Sequence, residues 1–175
     1  SVVKAFFGDC SSEGHRSVWF YKQVFGKEFS NFFTFAFVRN PWDRLYSAYK
    51  FLQKGGINIH DKNAFDMYLS EYNDFEDFVL NGLNEEILFK IAHFIPQYEF
   101  VCDKNGKILV DYIARFEDIE SGISELNALL KRKIKLDHYN SNIKKSYNES
   151  YTSEMIEIVR RIYKKDIDIF EYCFK

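Results

Sequence analysis

Residues 32–38 form a run, Phe-Phe-Thr-Phe-Ala-Phe-Val, that is apolar on both faces of an extended chain. Strands with one solvated face alternate apolar and polar residues, whereas strands covered on both faces of a parallel sheet do not. The run therefore predicts a central strand in a parallel sheet. Such a sheet needs helices on its faces, so we expect an α/β fold.

A helix is predicted directly after this strand. Asn40 can cap it, Pro41 suits its first position, and an apolar stripe follows at Trp42, Leu45, Tyr49 and Leu52. The strand-to-helix switch therefore falls at Arg39. In open α/β sheets, ligands bind beyond the carboxyl ends of strands, where a helix N-terminus presents N–H groups to anions.

Ser47 lies about two helical turns after Asn40, roughly 10 Å along the axis, which a long arginine side chain can largely cover. The forked donors of Arg39 and the hydroxyl of Ser47 could then bind one phosphate. The residues alone allow two other interpretations. Arg39 could form a structural salt bridge, and Ser47 could be a helix-surface hydroxyl.

The rest of the chain predicts further helices and one hairpin. The helices are expected over 17–25, 74–80, 85–94 and 119–130 and from a cap at Thr152, and the hairpin pairs 98–102 with 107–113 around Asn105-Gly106. The segment 53–97 is expected to supply a lid or the wall of a substrate pocket.

Length and charge exclude several classes of protein. The 175 residues suit a single domain, and no apolar run approaches the ~20 residues of a membrane-spanning helix. Lys and Arg number 24 against 26 Asp and Glu, which gives no support to a general nucleic-acid or anionic-membrane binder. The three Cys and four His have no metal-binding spacing.

Residues 35–49, Phe-Ala-Phe-Val-Arg-Asn-Pro-Trp-Asp-Arg-Leu-Tyr-Ser-Ala-Tyr, resemble the 3'-phosphate-binding strand and helix of the family 2 carbohydrate sulfotransferases. The resemblance continues in 96–101, 110–117 and 163–172. It implies a P-loop-NTPase-like three-layer fold, with a mostly parallel central sheet flanked by helices. It also implies that Arg39 and Ser47 hold the 3'-phosphate of the donor, 3'-phosphoadenosine 5'-phosphosulfate.

The resemblance also implies roles for residues outside this strand and helix. His15 lies where some family members carry a histidine base, with a loop histidine that has no role as the alternative. Lys144 lies where related enzymes often close a basic loop over the nucleotide, with a solvated loop as the alternative. Ser1 matches the last residue of the 5'-phosphosulfate loop, so the first strand and the rest of that loop are expected to be missing from a truncated chain. His93 falls at a recurrent family position and is interpreted as a packing or acceptor-side residue.

The predicted function is transfer of a sulfuryl group from this donor to a hydroxyl of a carbohydrate or related acceptor, without a metal. The alternative is a non-catalytic remnant that binds adenosine 3',5'-bisphosphate or a glycan. A P-loop kinase is disfavoured, because no Gly-Lys-Ser/Thr motif is present. Cysteine usage favours the cytoplasm, with the luminal domain of a trimmed membrane protein as the alternative.

Overall fold

The computed structural model describes residues 16–131, 133 and 147–175. These residues fall into two compact units. The first contains the described residues up to Val38 and those from 100 to 133, and the second contains 39–99 and 147–175. That 1–175 fold as a single sulfotransferase domain stays a prediction.

Most regular structure in the described residues is helical. The helices are α1 (Val18–Phe25), α2 (Pro41–Gln53), α3 (Ile59–Tyr68), α4 (Phe75–Asp77), α5 (Glu85–Lys90), α6 (Tyr98–Val101), α7 (Ile119–Leu130), α8 (Ser153–Ile162) and α9 (Lys164–Phe170). The strands are β1 (Phe35–Val38) and β2 (Tyr112–Arg115). Short 3-10 helices cover Gly26–Asn31, Phe116–Asp118 and Tyr147–Ser150, and a π-helical turn covers Phe78–Gly82.

The first unit contains a small parallel sheet. β1 and β2 pair with Phe35 opposite Tyr112 and Val38 opposite Arg115. Helix α7 packs closely on it, since a Cβ at Gly122 would lie 2.8 Å from the Cβ of Ala114. The mixed α/β class and the parallel pairing are confirmed. Within the described residues, β1 has one neighbour instead of the two that a central strand would have.

The strand is shorter than the predicted 32–38. The side chain of Asp111 accepts hydrogen bonds from both the N–H and the hydroxyl of Thr34, at 2.7 and 2.8 Å. The carboxylate thus takes the Thr34 N–H, while the Thr34 carbonyl accepts the backbone N–H groups of Asp111 and Tyr112 at 2.9 and 3.1 Å. Residue pairing begins at Phe35. Phe32 and Phe33 precede it and are 50% and 40% exposed.

The predicted hairpin is wrong in both arms. Residues 112 and 113 of its second arm belong to β2, which pairs parallel with β1. Tyr98–Val101 is helix α6, because the buried Asp166 carboxylate accepts from the backbone N–H of Tyr98 at 2.8 Å and caps this turn. Only a single antiparallel bridge, between Cys102 and Ile108, remains of the pairing. The turn itself is correct, and its Gly106 has a positive φ of 83°.

The second unit has a large aromatic core around α2. The predicted stripe is confirmed, with Trp42, Tyr49 and Leu52 fully buried and Leu45 1% exposed. Further core residues come from α4, α5 and α8 and from the segments around them. Helix α3 was not predicted, and the helix expected from Thr152 divides at Tyr163 into α8 and α9.

Candidate functional site

Arg39 opens the second unit, and its backbone is clamped by one side chain. The N–H of Arg39 donates to Gln97 Oε1 at 2.8 Å, and Gln97 Nε2 donates to the Arg39 carbonyl at 2.8 Å. A side-chain amide carries both an acceptor oxygen and N–H donors, so it can bond a backbone N–H and a backbone carbonyl at once. The residue between strand and helix is therefore held at both of its backbone polar groups.

Gln97 is held in turn by Asp166 on α9. The Asp166 carboxylate accepts from the backbone N–H of Gln97 and of Tyr98, each at 2.8 Å. Asp166 has no exposed surface and Gln97 is 8% exposed. Burial raises the pKa of Asp166, and these hydrogen bonds only partly oppose that rise.

Arg44 supplies the positive charge near this carboxylate. Its Nη2 donates to the carbonyl of Ile95 at 2.8 Å, and its charge acts favourably on Asp166. Burial lowers the pKa of Arg44, and the negative charge of Asp166 opposes that shift. Arg44 is thus bonded to the backbone two residues before Gln97. Arg39, Arg44, Gln97, Tyr98 and Asp166 are called the Gln97 cluster below.

The side chain of Arg39 forms a bidentate salt bridge with Asp43. Arg39 Nε and Nη2 lie 2.6 and 2.8 Å from the two carboxylate oxygens, and both side chains are 16% exposed. The structural salt bridge, one of the two interpretations open at the sequence level, is therefore present. A guanidinium carries five N–H donors, of which Asp43 accepts two. Contact of Arg39 with a phosphate stays a prediction.

Ser47 follows Asp43 by one helical turn on α2. Because residues four apart share a helix face, Ser47 lies on the same face of α2 as Asp43, whose carboxylate binds the Arg39 guanidinium. Arg39, Asp43 and Ser47 are therefore called a row along the start of the helix. Ser47 is partly buried, and its hydroxyl has no hydrogen-bond partner among the described residues. Its predicted role at the 3'-phosphate is untested by the structure.

The start of α2 offers fewer backbone donors than the sequence led us to expect. Pro41 has no N–H, and the N–H of Trp42 donates to the Asn40 side chain at 3.1 Å. The predicted Asn40 cap is thereby confirmed, and Asn40 Nδ2 also donates to the carbonyl of Cys173 at 2.8 Å. Anion binding at this end would therefore depend mainly on side chains.

His93 belongs to a second cluster in the same unit. Its Nε2 lies 2.9 Å from Asp61 Oδ1, and its ring meets Phe51 edge-on with centroids 5.1 Å apart. The other oxygen of Asp61 accepts from the N–H of Ile57 at 3.0 Å. Gly56, with a positive φ of 63°, packs so closely that an added Cβ would lie 2.1 Å from the Cβ of Asp61. Gly56, Ile57, Asp61, His93 and Phe51 are called the His93 cluster.

The pKa of Asp61 is lowered. Burial acts to raise it and is the largest single influence, but the hydrogen bonds from Ile57 and His93 and the attraction of His93 together outweigh burial. A packing role for His93 is consistent with its contacts, and an acceptor-side role stays a prediction.

Three predicted site residues lie outside the described part of the chain. They are the proposed base His15 and the nucleotide-binding candidates Ser1 and Lys144. In the described ranges there is no group of His, Cys, Asp and Glu side chains that could hold a metal ion. A search of the same residues found no helix with the length and apolar character needed to cross a membrane.

Sequence reasoning identified Arg39, Ser47 and the cap but missed the partners that fix Arg39. The spacing of four between Arg39 and Asp43 was a usable signal for their pairing. Asp166 gave no comparable signal, because a lone Asp in a charged segment predicts an exposed side chain.

Comparison with known proteins assigns the chain to a family. The model of the Sulfotransferase family matches residues 12–173, which is most of the chain. The chain is also similar to an uncharacterized protein of Archaeoglobus fulgidus, with 28% identity over 109 residues that cover 62% of this chain and 76% of that protein. A search of solved structures found no match. The match over 12–173 includes Arg39, Ser47, Gln97 and Asp166, and the chain therefore belongs to the sulfotransferase family.

Proposed function

We propose that this protein transfers a sulfuryl group from 3'-phosphoadenosine 5'-phosphosulfate to a hydroxyl of a carbohydrate or related acceptor, on a P-loop-like three-layer fold. The observation that carries the proposal is the row of Arg39, Asp43 and Ser47 at the start of α2, with the Arg39 backbone clamped by Gln97. Family membership supports sulfuryl transfer in general. The row supports the nucleotide part of the proposal.

In this proposal the 3'-phosphate lies against Arg39 and Ser47. The Asp43 carboxylate fixes the plane of the guanidinium, so that little side-chain freedom is lost when an anion binds. A guanidinium has enough donors to serve a carboxylate and a phosphate together, and the Ser47 hydroxyl adds one more donor on the same helix face. The expected consequence is preference for nucleotides that carry a 3'-phosphate.

The reaction forms a bond between the acceptor oxygen and sulfur and breaks the bond between sulfur and the bridging phosphate oxygen. The acceptor hydroxyl loses its proton, and the leaving phosphate oxygen gains negative charge. We assign proton removal to His15, since imidazole has an unperturbed pKa suited to a general base. Lys144 and Ser1 are proposed to contact the nucleotide.

The experiment that tests the function measures transfer of labelled sulfate from the donor to a panel of carbohydrates by the full-length protein. Ser47→Ala should weaken donor binding by about 0.5 to 1.5 kcal/mol, the range for one hydrogen bond. Ser124→Ala, at an exposed serine on α7, is the matched control and should leave binding unchanged. Nucleotide binding without transfer to any acceptor would favour the non-catalytic alternative, and absence of both would refute the proposal.

A further inference from the structure

The Gln97 cluster connects α9 to the proposed nucleotide site by a continuous set of hydrogen bonds. Asp166 accepts from the backbone N–H of Gln97, and the Gln97 side chain then bonds both backbone polar groups of Arg39. Gln97 Nε2 also lies 3.5 Å from Asp166 Oδ2. Every group in this path is buried or partly buried. The path ends at the residue proposed to bind the 3'-phosphate.

Burial of these polar groups costs free energy of desolvation, which a purely apolar contact at the same place would not. A carboxylate without exposed surface is destabilised by loss of water, and at Asp166 this influence exceeds that of its hydrogen bonds. A well-packed apolar pair at such a position is often as stable or more stable. The polar groups instead fix orientation, because their hydrogen bonds hold the peptide groups of residues 39 and 97 in one geometry.

We infer that Gln97 and Asp166 are positioning residues that set the direction in which Arg39 leaves the backbone, and thereby its reach to a 3'-phosphate. The guanidinium of Arg39 is held by Asp43, and the backbone of Arg39 is held by Gln97. Fixing both ends restricts the guanidinium far more than either contact alone. Small displacements of a binding group weaken an interaction that depends on hydrogen-bond geometry.

This inference rests on the proposed function, and Gln97→Met tests it. Methionine is close to glutamine in length and flexibility but makes neither hydrogen bond to Arg39. The measurement is calorimetric binding of adenosine 3',5'-bisphosphate and of adenosine 5'-phosphate to the full-length protein. We expect Gln97→Met to weaken bisphosphate binding by about 5- to 30-fold, as for one or two lost hydrogen bonds, with monophosphate binding changed less than about 2-fold.

A double-mutant cycle separates positioning from a general structural effect. If Gln97 acts through the Arg39 side chain, Gln97→Met in an Arg39→Ala background should change neither affinity by more than about 2-fold. Asp166→Asn places an amide N–H against a backbone donor and should show the same selective loss, together with lower stability. Asp168→Asn, at an exposed position on the same helix, is its matched control.

The outcomes distinguish this inference from the proposed function. Selective loss of bisphosphate binding that vanishes in the Arg39→Ala background supports it. Equal loss for both nucleotides, or unchanged binding with only a lower melting temperature, overturns it while leaving the 3'-phosphate role of Arg39 intact. If the wild type does not prefer the bisphosphate, or Arg39→Ala retains that preference, the 3'-phosphate role of Arg39 fails and the positioning role fails with it, whereas sulfate transfer by the wild type is tested separately.

Discussion

The Gln97 cluster and the His93 cluster each contain a buried aspartate, and the two carboxylates respond to burial in opposite ways. At Asp166, which has no exposed surface, burial dominates and raises the pKa. At Asp61, which is 7% exposed, hydrogen bonds from Ile57 and His93 outweigh burial and lower the pKa. The balance between lost water and hydrogen bonds thus decides the direction of the pKa shift in two residues of the same type.

The two clusters also differ in what they hold. Asp166 binds the backbone N–H groups of Gln97 and Tyr98, and the Gln97 side chain in turn binds the backbone of Arg39. Asp61 instead holds the turn at Gly56 and Ile57 against His93. In the Gln97 cluster, burial opposes ionisation of the Asp166 carboxylate. We therefore expect the first cluster to lose more stability when its aspartate is removed.

The largest expected effect is that of Asp166→Ala. The substitution leaves the N–H groups of Gln97 and Tyr98 without their acceptor and removes the negative charge near Arg44. Each buried donor left without its acceptor costs about 1 to 3 kcal/mol of unfolding free energy. Denaturant unfolding measures it, and Asp168→Ala on the same helix should change stability little. A loss as small as that of the control would mean that the Gln97 cluster does not stabilise the fold.

Gly56→Ala should have the next largest effect. The residue has a positive φ, and its added Cβ would meet the side chain of Asp61, so about 2 to 4 kcal/mol of stability should be lost. Gly55→Ala is the matched control, since Gly55 also has a positive φ but no atom within 4 Å of an added Cβ. It should lose only about 1 to 2 kcal/mol, from backbone strain alone. Equal losses of stability in the two variants would show that the Asp61 side chain moves away from the added Cβ without a cost in free energy.

The pH dependence of the unfolding free energy should have opposite signs for Asp61 and Asp166. Since the folded pKa of Asp61 lies below its ordinary value of 3.8, its ionisation stabilises the fold above about pH 3.8. That contribution is lost as the pH falls through the folded pKa. Asp61→Asn should therefore cost about 1 to 2 kcal/mol near pH 6 and progressively less below pH 3.8.

Asp166 should show the opposite sign. Its folded pKa is raised, so ionisation opposes folding, and the wild type regains stability relative to Asp166→Asn as the pH falls towards 3.8. Unfolding measured from pH 6 to pH 3 on both variants checks the pair. If both variants changed in stability relative to the wild type in the same direction across this pH range, the opposite pKa shifts of Asp61 and Asp166 would be contradicted.

The smallest expected effects concern two buried tyrosines. Tyr163 beside the Gln97 cluster donates its hydroxyl to the carbonyl of Phe94 at 2.8 Å, so Tyr163→Phe should cost about 1 kcal/mol. The buried hydroxyl of Tyr49 has no hydrogen-bond partner among the described residues. Tyr49→Phe should therefore be neutral or stabilising by up to about 1 kcal/mol. Thermal unfolding of both variants decides the matter, and a clear loss at Tyr49 would point to a bound water there.

Local patterns predicted the elements that depend on neighbouring residues. The Asn40 cap, the apolar stripe of α2 and the end of α1 at Phe25 were all predicted, because caps and helix faces are set within a few residues. The four-residue spacing that pairs Arg39 with Asp43 was equally local. Arg39 and Ser47 could be selected as candidates for the same reason.

Distant side chains decided what the sequence did not predict. The segment 98–101 has the composition of a strand, yet Asp166, 68 residues away from Tyr98, caps it as a helix. Asp111 shortens β1 from a distance of 77 residues by taking the N–H of Thr34. Helix α3 was missed because its apolar periodicity is weak, although its Asn58 cap was readable. Such long-range hydrogen bonds leave no periodic signal.

The most direct test of the central claim is the effect of Arg39→Ala on binding of adenosine 3',5'-bisphosphate and adenosine 5'-phosphate by calorimetry. If Arg39 binds the 3'-phosphate, bisphosphate binding should weaken by about 1.5 to 3 kcal/mol, the range for a lost charge-assisted hydrogen bond, while monophosphate binding changes little. An equal loss for both nucleotides would mean that the salt bridge of Arg39 with Asp43 maintains the fold and that the 3'-phosphate is bound elsewhere.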